Sequence, residues 1–532
     1  MVNRTLLQYA QNRYKTQQLK SPFSRWLIDA KWDHLVPEQY TPQCKNIRIM
    51  NWTTTVRNGY QSLSEDPLLL VTKIVRNLTA TTALYTVLDQ KLYGVNLLSW
   101  ALTLKWVPTT FANDVKMRSV VFGDYTIYMD GLTLWYVYQE STDILTALLP
   151  ANIPAGANPR FGDVFSFGTY LAWGGTQTNT LFISRWVTYA NPQFAYDFVW
   201  AWTERVMFKW PIAAVKSTLD RIFIWTDRSI EYISKDTSTG VWNVATTFSV
   251  PIAWPNEPAS PDLVVSADDK IFFWTKDNRC KTLNYIAWVT EAQVGDLTNR
   301  ANQWIDNLLN TLDDNQSWGF GYYDKERKLV YFYLRGKGEQ FNNICIVYDP
   351  VYDSFYVDTN KFFGTSARLD NTYYCWSDVN PYIFIDNIGK DDDWWAIVWE
   401  RYSPNLSLWN PNLRKEFREI NFFGEIDSIT IINVEVFIDW LTVFAWAFSQ
   451  NGQWMAGIWA YPVAGITIAG QVPWSPNTLT PFEKRITYTN LYGKGKKIQV
   501  LFSGQNKGWD FCLSGMSIKF KPIGDSKTTD KF

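Results

Sequence analysis

Short apolar stretches, each ending in a polar turn, recur along most of the chain. Between Asp220 and Leu283 two copies of one pattern occur, in which a β-branched and aromatic run, RIFIWT or KIFFWT, is followed by a polar turn and a second short run. Residues of these types fit a pleated, half-buried surface, so each copy predicts a strand, a turn and a second strand. The copies lie roughly 48 residues apart, which is within the period expected for one blade of a β-propeller.

Units of the same kind occur on both sides of this central pair. They span Thr79–Leu97, Ser119–Val137, Asp163–Trp186, Gly321–Asp358 and Phe362–Ile385. Their centres recur at intervals of about 40 to 60 residues, which predicts a propeller of about six or seven blades. The segment Val289–Asp314 breaks the pattern, because Trp304, Leu308, Leu309 and Leu312 have helical spacing. We predict a short helix inserted between two blades at this point.

The pattern changes after about Arg401, where a proline- and asparagine-rich stretch precedes longer and fewer alternating strands. Strands of this kind predict a β-sandwich-like domain packed at the end of the propeller. The predicted organisation is therefore all-β, with an N-terminal arm at 1–40, a β-propeller at 41–400, a C-terminal β domain at 401–522 and a disordered tail at 523–532.

The composition supports a large, ordered protein. The chain has 532 residues, more than one compact core usually holds, so two domains or a closed ring of repeats are expected. Hydrophobic residues make up 46% and aromatic residues 17%, including 29 Trp. We predict that most of the tryptophans, such as Trp225 and Trp274 in the repeated strands, fill the space between blades, and that several others lie at interfaces.

Charge and cysteine content exclude several classes of protein. Fifty basic residues against 51 acidic ones give a net charge of −1, so no global field favours nucleic acid or an anionic membrane, and any contact with DNA has to be local. The five cysteines include no C-x-x-C pair, which argues against a disulfide scaffold or a zinc site and favours buried thiols in a reducing compartment. The first twenty residues contain no signal-peptide pattern. The longest apolar run, Ile429–Phe448, carries Glu435 and Asp439, so it predicts a strand pair and not a membrane span.

Few residues have the chemistry of a catalytic or metal site. His34 is the one histidine, which argues against His-based metal sites and catalytic triads, and we predict no catalytic residue, metal ion or cofactor. Three adjacent carboxylates in Gly389–Asp393 could hold Ca²⁺, but the spacing of an EF-hand loop is absent and a solvated loop is the preferred interpretation. A glycoside hydrolase that uses two carboxylates and no histidine remains an alternative.

Two glycine-rich turns contain candidate nucleic-acid contacts. Lys494, Lys496 and Lys497 lie in a basic stretch that lacks the order of a P-loop, so it predicts a hairpin turn. Lys337 lies between two glycines in a second such turn. If these turns face a channel, the four lysines are candidate contacts for DNA that passes through it.

Several motifs resemble those of a known group of proteins. Val56–Tyr60 has the form V-R-x-G-Y, Thr226–Ile230 reads T-D-R-S-I, Asp268–Thr275 has the form D-D-x-I-F-F-x-T, and Trp509–Ile518 has the form W-x-F-x-L-S-G-M-S-I near the end of the last β domain. In this order the motifs resemble the β-propeller proteins of phage tails. That group includes the packaged-DNA stabilisation proteins and the tail nozzle or hub proteins of short-tailed phages.

The resemblance implies a structural protein of the virion and no enzymatic activity. Such a protein is made in the host cytoplasm and becomes part of the tail hub or nozzle ring below the portal, where it closes the channel and retains or gates the packaged DNA. The implied partners are other copies in a ring, expected to be a hexamer, the portal or adaptor and other tail proteins, and packaged DNA through weak non-specific contact. A carbohydrate-binding (receptor-binding) propeller is the alternative, followed by a glycoside hydrolase.

Overall fold

The structure is a computed structural model. It describes residues 15–20, 44–50, 53–62, 75–80, 83–88, 91–97, 102–105, 116–122, 124–131, 136–147, 159–165, 170–175, 179–183, 204–218, 222–235, 242–252, 257–268, 270–285, 292–298, 307–377, 379, 383–388, 392, 397–403, 406, 413–426, 431–448, 454–455, 480–487, 494–506 and 511–523. Among these residues, none of the helical segments has the length and hydrophobicity that a membrane span requires.

Five short strands precede the first blade. They are β1 (Lys15–Lys20), β2 (Cys44–Lys45), β3 (Ile47–Met50), β4 (Thr53–Val56) and β5 (Tyr60–Ser62). The next three blades are each built from four consecutive strands. Blade 1 consists of β6 (Val75–Ala80), β7 (Leu84–Leu88), β8 (Lys91–Val95) and β9 (Leu102–Leu104). Blade 2 consists of β10 (Arg118–Phe122), β11 (Tyr125–Met129), β12 (Tyr136–Gln139) and β13 (Ile144–Ala147). Blade 3 consists of β14 (Pro159–Phe165), β15 (Tyr170–Gly175), β16 (Thr180–Ile183) and β17 (Glu204–Met207).

The remaining blades continue this plan. Blade 4 consists of β18 (Ile212–Ser217), β19 (Ile222–Thr226), β20 (Ser229–Lys235) and β21 (Trp242–Pro251). Blade 5 follows a 3-10 turn (Pro261–Leu263) and consists of β22 (Val264–Ala267), β23 (Lys270–Trp274), β24 (Cys280–Tyr285) and β25 (Ala292–Asp296). Blade 6 consists of β26 (Phe320–Asp324), β27 (Leu329–Arg335), β28 (Asn342–Asp349) and β29 (Ser354–Asp358). Blade 7 takes three strands from this part of the chain, β30 (Phe363–Leu369), β31 (Thr372–Ser377) and β32 (Ile383–Asp386).

The fourth strand of blade 7 is β5, which comes from before blade 1 and pairs antiparallel with β32. The seven four-stranded sheets form a closed ring, because the first strand of each blade contacts the first strand of the next and β30 contacts β6. This arrangement confirms the predicted β-propeller and fixes the blade number in the described part of the chain at seven. Pairing β5 with β32 ties the start of the propeller to its last blade, so segments from both ends of the propeller close the ring.

Aromatic and β-branched side chains fill the space between neighbouring blades. Trp225 of blade 4 packs edge-on against Phe273 of blade 5 with ring centroids 5.8 Å apart, and Trp274 lies 5.5 Å from Phe332 of blade 6. Both tryptophans are fully buried. Their predicted role between blades is confirmed, and it explains why the strands RIFIWT and KIFFWT are buried along most of their length.

Two larger sheets are formed mainly by the last part of the chain. Their strands are β33 (Ile397–Tyr402), β34 (Arg414–Ile426), β35 (Ile431–Ile438), β36 (Leu441–Phe448), β37 (Trp454–Met455), β38 (Thr480–Thr487), β39 (Lys494–Gly495), β40 (Ile498–Asn506) and β41 (Phe511–Ile523). One sheet has seven strands in the order β3-β4-β41-β34-β38, with β1 paired to β41 and β39 to β34. The other has six strands in the order β2-β33-β40-β35-β36-β37. Their buried side chains belong to one hydrophobic cluster, in which the rings of Phe422 and Phe502 meet at 5.0 Å.

The strand pairings differ from the predicted boundaries near the N-terminus. Residues 44–56 were predicted within the propeller, but β2, β3 and β4 pair with strands of the two larger sheets. The strand β1 lies in the predicted arm and pairs along its length with β41. The physical reason is the position of β5. Because β5 pairs in blade 7, the strands before it lie beside the C-terminal sheets, where the edges of β41 and β33 are available for pairing. At the other end Ile523 still belongs to β41, and 524–532 lie outside the described residues.

The predicted inserted helix is corrected in part. Ala292–Asp296, inside the predicted helical segment, is the strand β25 and completes blade 5. Helical backbone is described at 307–309, and Trp304 lies outside the described residues. Leu309 and Leu312 are buried against blades 5 and 6. Their spacing therefore reflects packing between these blades, and the need for a fourth strand overrides the helical pattern before it.

Candidate functional site

The predicted lysines occur in two separate places. Lys494 lies in β39, and Lys496 and Lys497 lie in the connection from β39 to β40. The predicted hairpin is wrong, because β39 pairs with β34 whereas β40 pairs with β33 and β35 in the other sheet. Lys337 lies in the connection between β27 and β28 of blade 6. The structure thus brings three of the four candidates together in the larger sheets and places the fourth in the propeller.

The turn with the three lysines is held by the hairpin between β35 and β36. The carboxylate of Asp439 accepts hydrogen bonds from the backbone N–H groups of Lys496 at 3.0 Å and Lys497 at 2.9 Å. Among the described residues, the ammonium groups of Lys494, Lys496 and Lys497 have no carboxylate partner, and Arg414 beside them is also exposed. We call these four cations the basic end. Such an arrangement leaves its positive charges available to an external anion.

Lys337 lines a small polar cavity between blades 5 and 6. The cavity has a volume of about 130 Å³, and its lining includes Lys276, Asp277, Arg279 and Asp314. Lys276 is paired with Glu257 at 2.9 Å. The mixed charges of the lining give this cavity no strong preference for an anion, so Lys337 does not share the electrostatics of the basic end.

A cluster of charged groups crosses the centre of the propeller. Lys116 and Arg118 lie at the start of the first strand of blade 2, and both contact Asp262 at the start of blade 5, each at 3.0 Å. Lys116 also donates to the carbonyl oxygens of Trp318 and Gly319, which precede blade 6, at 3.1 and 2.9 Å. Burial opposes ionisation of Asp262, but Arg118 and Lys116 outweigh it and lower its pKa to about 2. We call this the channel cluster, and it ties blades 2, 5 and 6 together across the axis.

A second, larger set of buried charges joins blades 6 and 7 to the N-terminal strands. Arg48 makes a two-pronged ion pair with Asp358, with distances of 2.8 and 2.6 Å. Lys361 lies 2.6 Å from Asp386 and 3.7 Å from Asp358. Burial opposes ionisation of Asp358, yet the cations Arg48, Lys361 and Arg57 lower its pKa to about 2. We call this set, with Arg57 and Asp392, the junction network.

Arg57 of the V-R-x-G-Y motif is the most completely bound member of the junction network. Its Nη1 and Nη2 atoms contact the two oxygens of Asp392 at 2.8 and 2.5 Å. They also donate to the carbonyl oxygens of Asn58 at 2.9 Å and Thr359 at 3.1 Å, and Nε donates to Asn46 at 3.0 Å. A guanidinium has five N–H donors, so the hydrogen-bonding capacity of Arg57 is used within the protein.

The carboxylate of Asp386 is held by hydroxyls as well as by Lys361. Tyr322 and Tyr333 donate to its Oδ2 atom at 2.5 and 2.7 Å. Burial raises the pKa of both tyrosines well above the usual value, which keeps them protonated as donors. The pKa of Asp386 is lowered because Lys361 and these hydroxyls outweigh the cost of burial. Each charge is thus matched inside the network, which is the pattern of a structural joint.

The central residues of both clusters carry no pattern in the sequence that predicts their contacts. The preferred interpretation of Asp392 as part of a solvated loop is wrong, because its side chain is buried and forms an ion pair with Arg57. Asp391, Asp393 and His34 lie outside the described residues. No group of carboxylates, cysteines or histidines in the described part of the chain is arranged to hold a metal ion. The V-R-x-G-Y motif is the one sequence feature that points to the junction network. Its arginine lies just before the strand that closes the ring, and a buried arginine needs an anionic partner.

Comparison with known proteins gives structural similarity alone. No family model matches the sequence, and no curated protein matches it. Among solved structures, U3-55K aligns with 8% identity and a TM-score of 0.39, covering 62% of this chain and 98% of its own. BamB from Moraxella catarrhalis aligns with 10% identity and a TM-score of 0.37, covering 65% of this chain and 96% of its own. The β-propeller domain of Cps50 (Swd1) from Myceliophteria thermophila aligns with 11% identity and a TM-score of 0.38, covering 64% of this chain and 98% of its own.

Proposed function

We propose that the chain is a structural protein of a phage virion, a subunit of the ring in the tail hub or nozzle below the portal that closes the channel and retains or gates packaged DNA. The observation that carries the proposal is the position of Arg57 and Tyr60. These residues of the motif that resembles phage-tail propeller proteins contribute the buried ion pair with Asp392 and the first residue of the ring-closing strand β5. The residues behind the resemblance therefore have a mechanical role in this fold.

The other motifs of the resemblance also lie at structural positions. Thr226–Ile230 forms the tight turn between β19 and β20, in which the backbone N–H of Ser229 donates to the hydroxyl of Thr226 at 2.9 Å. Asp268–Thr275 contains β23, and Trp509–Ile518 leads into and includes much of β41, the strand that pairs with β34, β4 and β1. Burial of these segments favours a rigid building block over a binding module whose motifs lie on exposed loops.

The buried carboxylates also favour a structural role over a glycoside hydrolase. Asp358, Asp386 and Asp392 each lie against a cation within the junction network. A glycosidase needs one protonated and one ionised carboxyl group that flank a sugar, whereas these three carboxylates are each bound by a buried cation of the protein. A carbohydrate-binding propeller remains the second candidate, with exposed aromatic side chains on blade loops as its requirement.

The first experiment is a mass measurement in solution. Light scattering on the purified full-length chain, alone and mixed with portal complexes, is expected to show a ring of about six subunits of 61.9 kDa each, or a monomer that becomes a ring on the portal. A chain that stays monomeric in both samples and binds defined glycans on an array would reject the tail proposal and favour the carbohydrate-binding alternative.

A further inference from the structure

The tip of the hairpin between β35 and β36 exposes two large apolar side chains. Trp440 is 62% exposed, and Leu441, the first residue of β36, is 73% exposed. Ile438 pairs with Leu441, so Asp439 and Trp440 form a two-residue turn, and both have positive φ, 45° and 74°. A turn of this geometry prefers glycine at its second position, and a bulky side chain there is unfavourable. Burial of the Trp440 side chain does not offset this backbone strain, because the ring is mostly exposed. Trp440 is therefore better explained by binding to another molecule than by stabilising the fold.

The tip is held in place by the turn at 494–497. The backbone N–H of Asp439 donates to the carbonyl of Lys497 at 3.2 Å, and the carboxylate of Asp439 accepts from Lys496 and Lys497 as described above. A Cβ atom at Gly495 would lie 2.4 Å from Cγ2 of Ile438, so only glycine allows the two turns to pack this closely. Trp440 and Leu441 are therefore presented beside the basic end on a braced hairpin.

An apolar tip beside several cations has a specific physical preference. Tryptophan is most stable at a boundary between hydrocarbon and water, and leucine gains free energy when it enters the hydrocarbon. Lysine side chains can extend to anionic head groups while their stems remain against apolar surface. Clustered Lys and Arg beside such a tip add electrostatic attraction to an anionic leaflet. DNA would use the same cations but has no hydrocarbon layer to receive Trp440 and Leu441.

We propose that the hairpin tip at Trp440 and Leu441, together with the basic end formed by Arg414, Lys494, Lys496 and Lys497, docks on the surface of an anionic lipid bilayer. The two apolar side chains enter the interface and the cations lie against the head groups. This site goes beyond the proposed tail function and stands on the local geometry of the larger sheets, so it holds whether or not the chain forms a ring.

The test is flotation of the full-length protein with vesicles of phosphatidylcholine alone or of phosphatidylcholine and phosphatidylglycerol in equal parts. Wild type is expected to float with the anionic vesicles and to lose binding as salt is raised, because salt screens the head-group charges. Each lysine near such a surface contributes about fivefold in affinity, so the triple variant K494Q/K496Q/K497Q is expected to bind about 100-fold more weakly. The double variant W440S/L441S is expected to bind at least about tenfold more weakly.

The controls separate loss of the site from loss of folding and from a nucleic-acid site. Val398, on β33, is 50% exposed, so V398S removes a comparable exposed apolar side chain away from the tip and is expected to leave flotation unchanged. All variants are expected to keep the wild-type melting temperature. Absence of wild-type flotation, or W440S/L441S flotation equal to wild type, would overturn the proposal. So would a chain that binds duplex DNA through the three lysines and ignores the vesicles, since this outcome assigns the basic end to nucleic acid.

Discussion

Replacing Arg57 with methionine should weaken the propeller at the place where its ring closes. Arg57 is fully buried, and Asp392, its partner, lies 335 residues further along the chain. The substitution keeps an apolar side chain of similar length but removes all five N–H donors. It leaves the carboxylate of Asp392 and the carbonyl of Thr359 without the guanidinium that binds them.

The size of the effect follows from these contacts. Breaking a buried ion pair by removing one member costs about 3–5 kcal/mol, because the remaining charge stays buried. Each buried carbonyl left without its donor adds about 1–3 kcal/mol to the loss of stability, and water that enters the site recovers some of this cost. We therefore expect R57M to lower the free energy of unfolding by about 4 kcal/mol. The double variant R57M/D392L should recover part of this loss, because a well-packed apolar pair often replaces a buried ion pair without cost.

Two measurements check this expectation. Equilibrium denaturation compares the free energies of unfolding, and hydrogen exchange reports whether the amides of β5 and β32, which pair in blade 7, lose protection first. The matched control is R368M, since Arg368 is exposed and its contacts with Asn371 and the ring of Tyr373 are local in the chain, so its loss should change stability by less than about 0.5 kcal/mol. A result for R57M within about 1 kcal/mol of R368M would refute the closing role of the pair.

Three further predictions concern the channel cluster, a glycine and acid stability. D262N keeps the shape of the side chain but removes the charge whose pKa the two neighbouring cations lower to about 2, so it should cost about 2 kcal/mol in a denaturation experiment. G131A should destabilise the protein by about 1–3 kcal/mol in the same assay, because φ of Gly131 is 76° and an added Cβ would lie 2.6 Å from a side-chain carbon of blade 3. The control is G338A. Gly338 has φ of 80° but open space around it, so this substitution should cost only the backbone penalty of about 1 kcal/mol. Asp262 and Asp358 both have pKa values of about 2 in the folded protein, below the unfolded value of about 3.9, so each contributes about 2 kcal/mol that is present above pH 4 and lost as the pH falls through about 2. The lowered pKa of Asp386 adds to this loss, whereas the raised pKa values of Asp349 and Asp392 oppose it. Denaturation midpoints measured at several pH values should therefore decline below pH 4, and no decline at all between pH 4 and 2 would contradict the assigned pKa values.

The periodic strands made the propeller predictable. Runs such as the one ending at Trp225 are local in sequence, alternate with turn residues, and form sheets from consecutive strands, so pattern alone located most blades. Gly321–Asp358 was predicted as one full blade and forms the four strands of blade 6. The blade number stayed at six or seven because only three strands of blade 7 are contiguous and the fourth is β5.

The joints between distant segments were not predictable in the same way. Arg48 and Asp358 meet across 310 residues, and no periodicity marks such a pair. Hydrophobic spacing also gave a wrong prediction where a helical pattern lies next to a segment that forms a strand. Leu309 and Leu312 are spaced as on a helix, yet the residues before them had to supply the fourth strand of blade 5. Trp440 was equally hidden, because an apolar run gives no sign of which residue lies at the hairpin tip.

The channel cluster limits where DNA can be gated if the tail proposal is right. Lys116 and Arg118 reach from blade 2 to Asp262 on the blade 5 side, and Lys116 also binds the backbone before blade 6. These bonds span the axis of the propeller, so a DNA duplex cannot pass through the centre of a single subunit without breaking them. The gated channel must then be the lumen enclosed by several copies, and the seven-bladed unit acts as a rigid wall segment. Assembly into a ring is therefore a requirement of the proposed function, and the mass measurement tests the requirement directly.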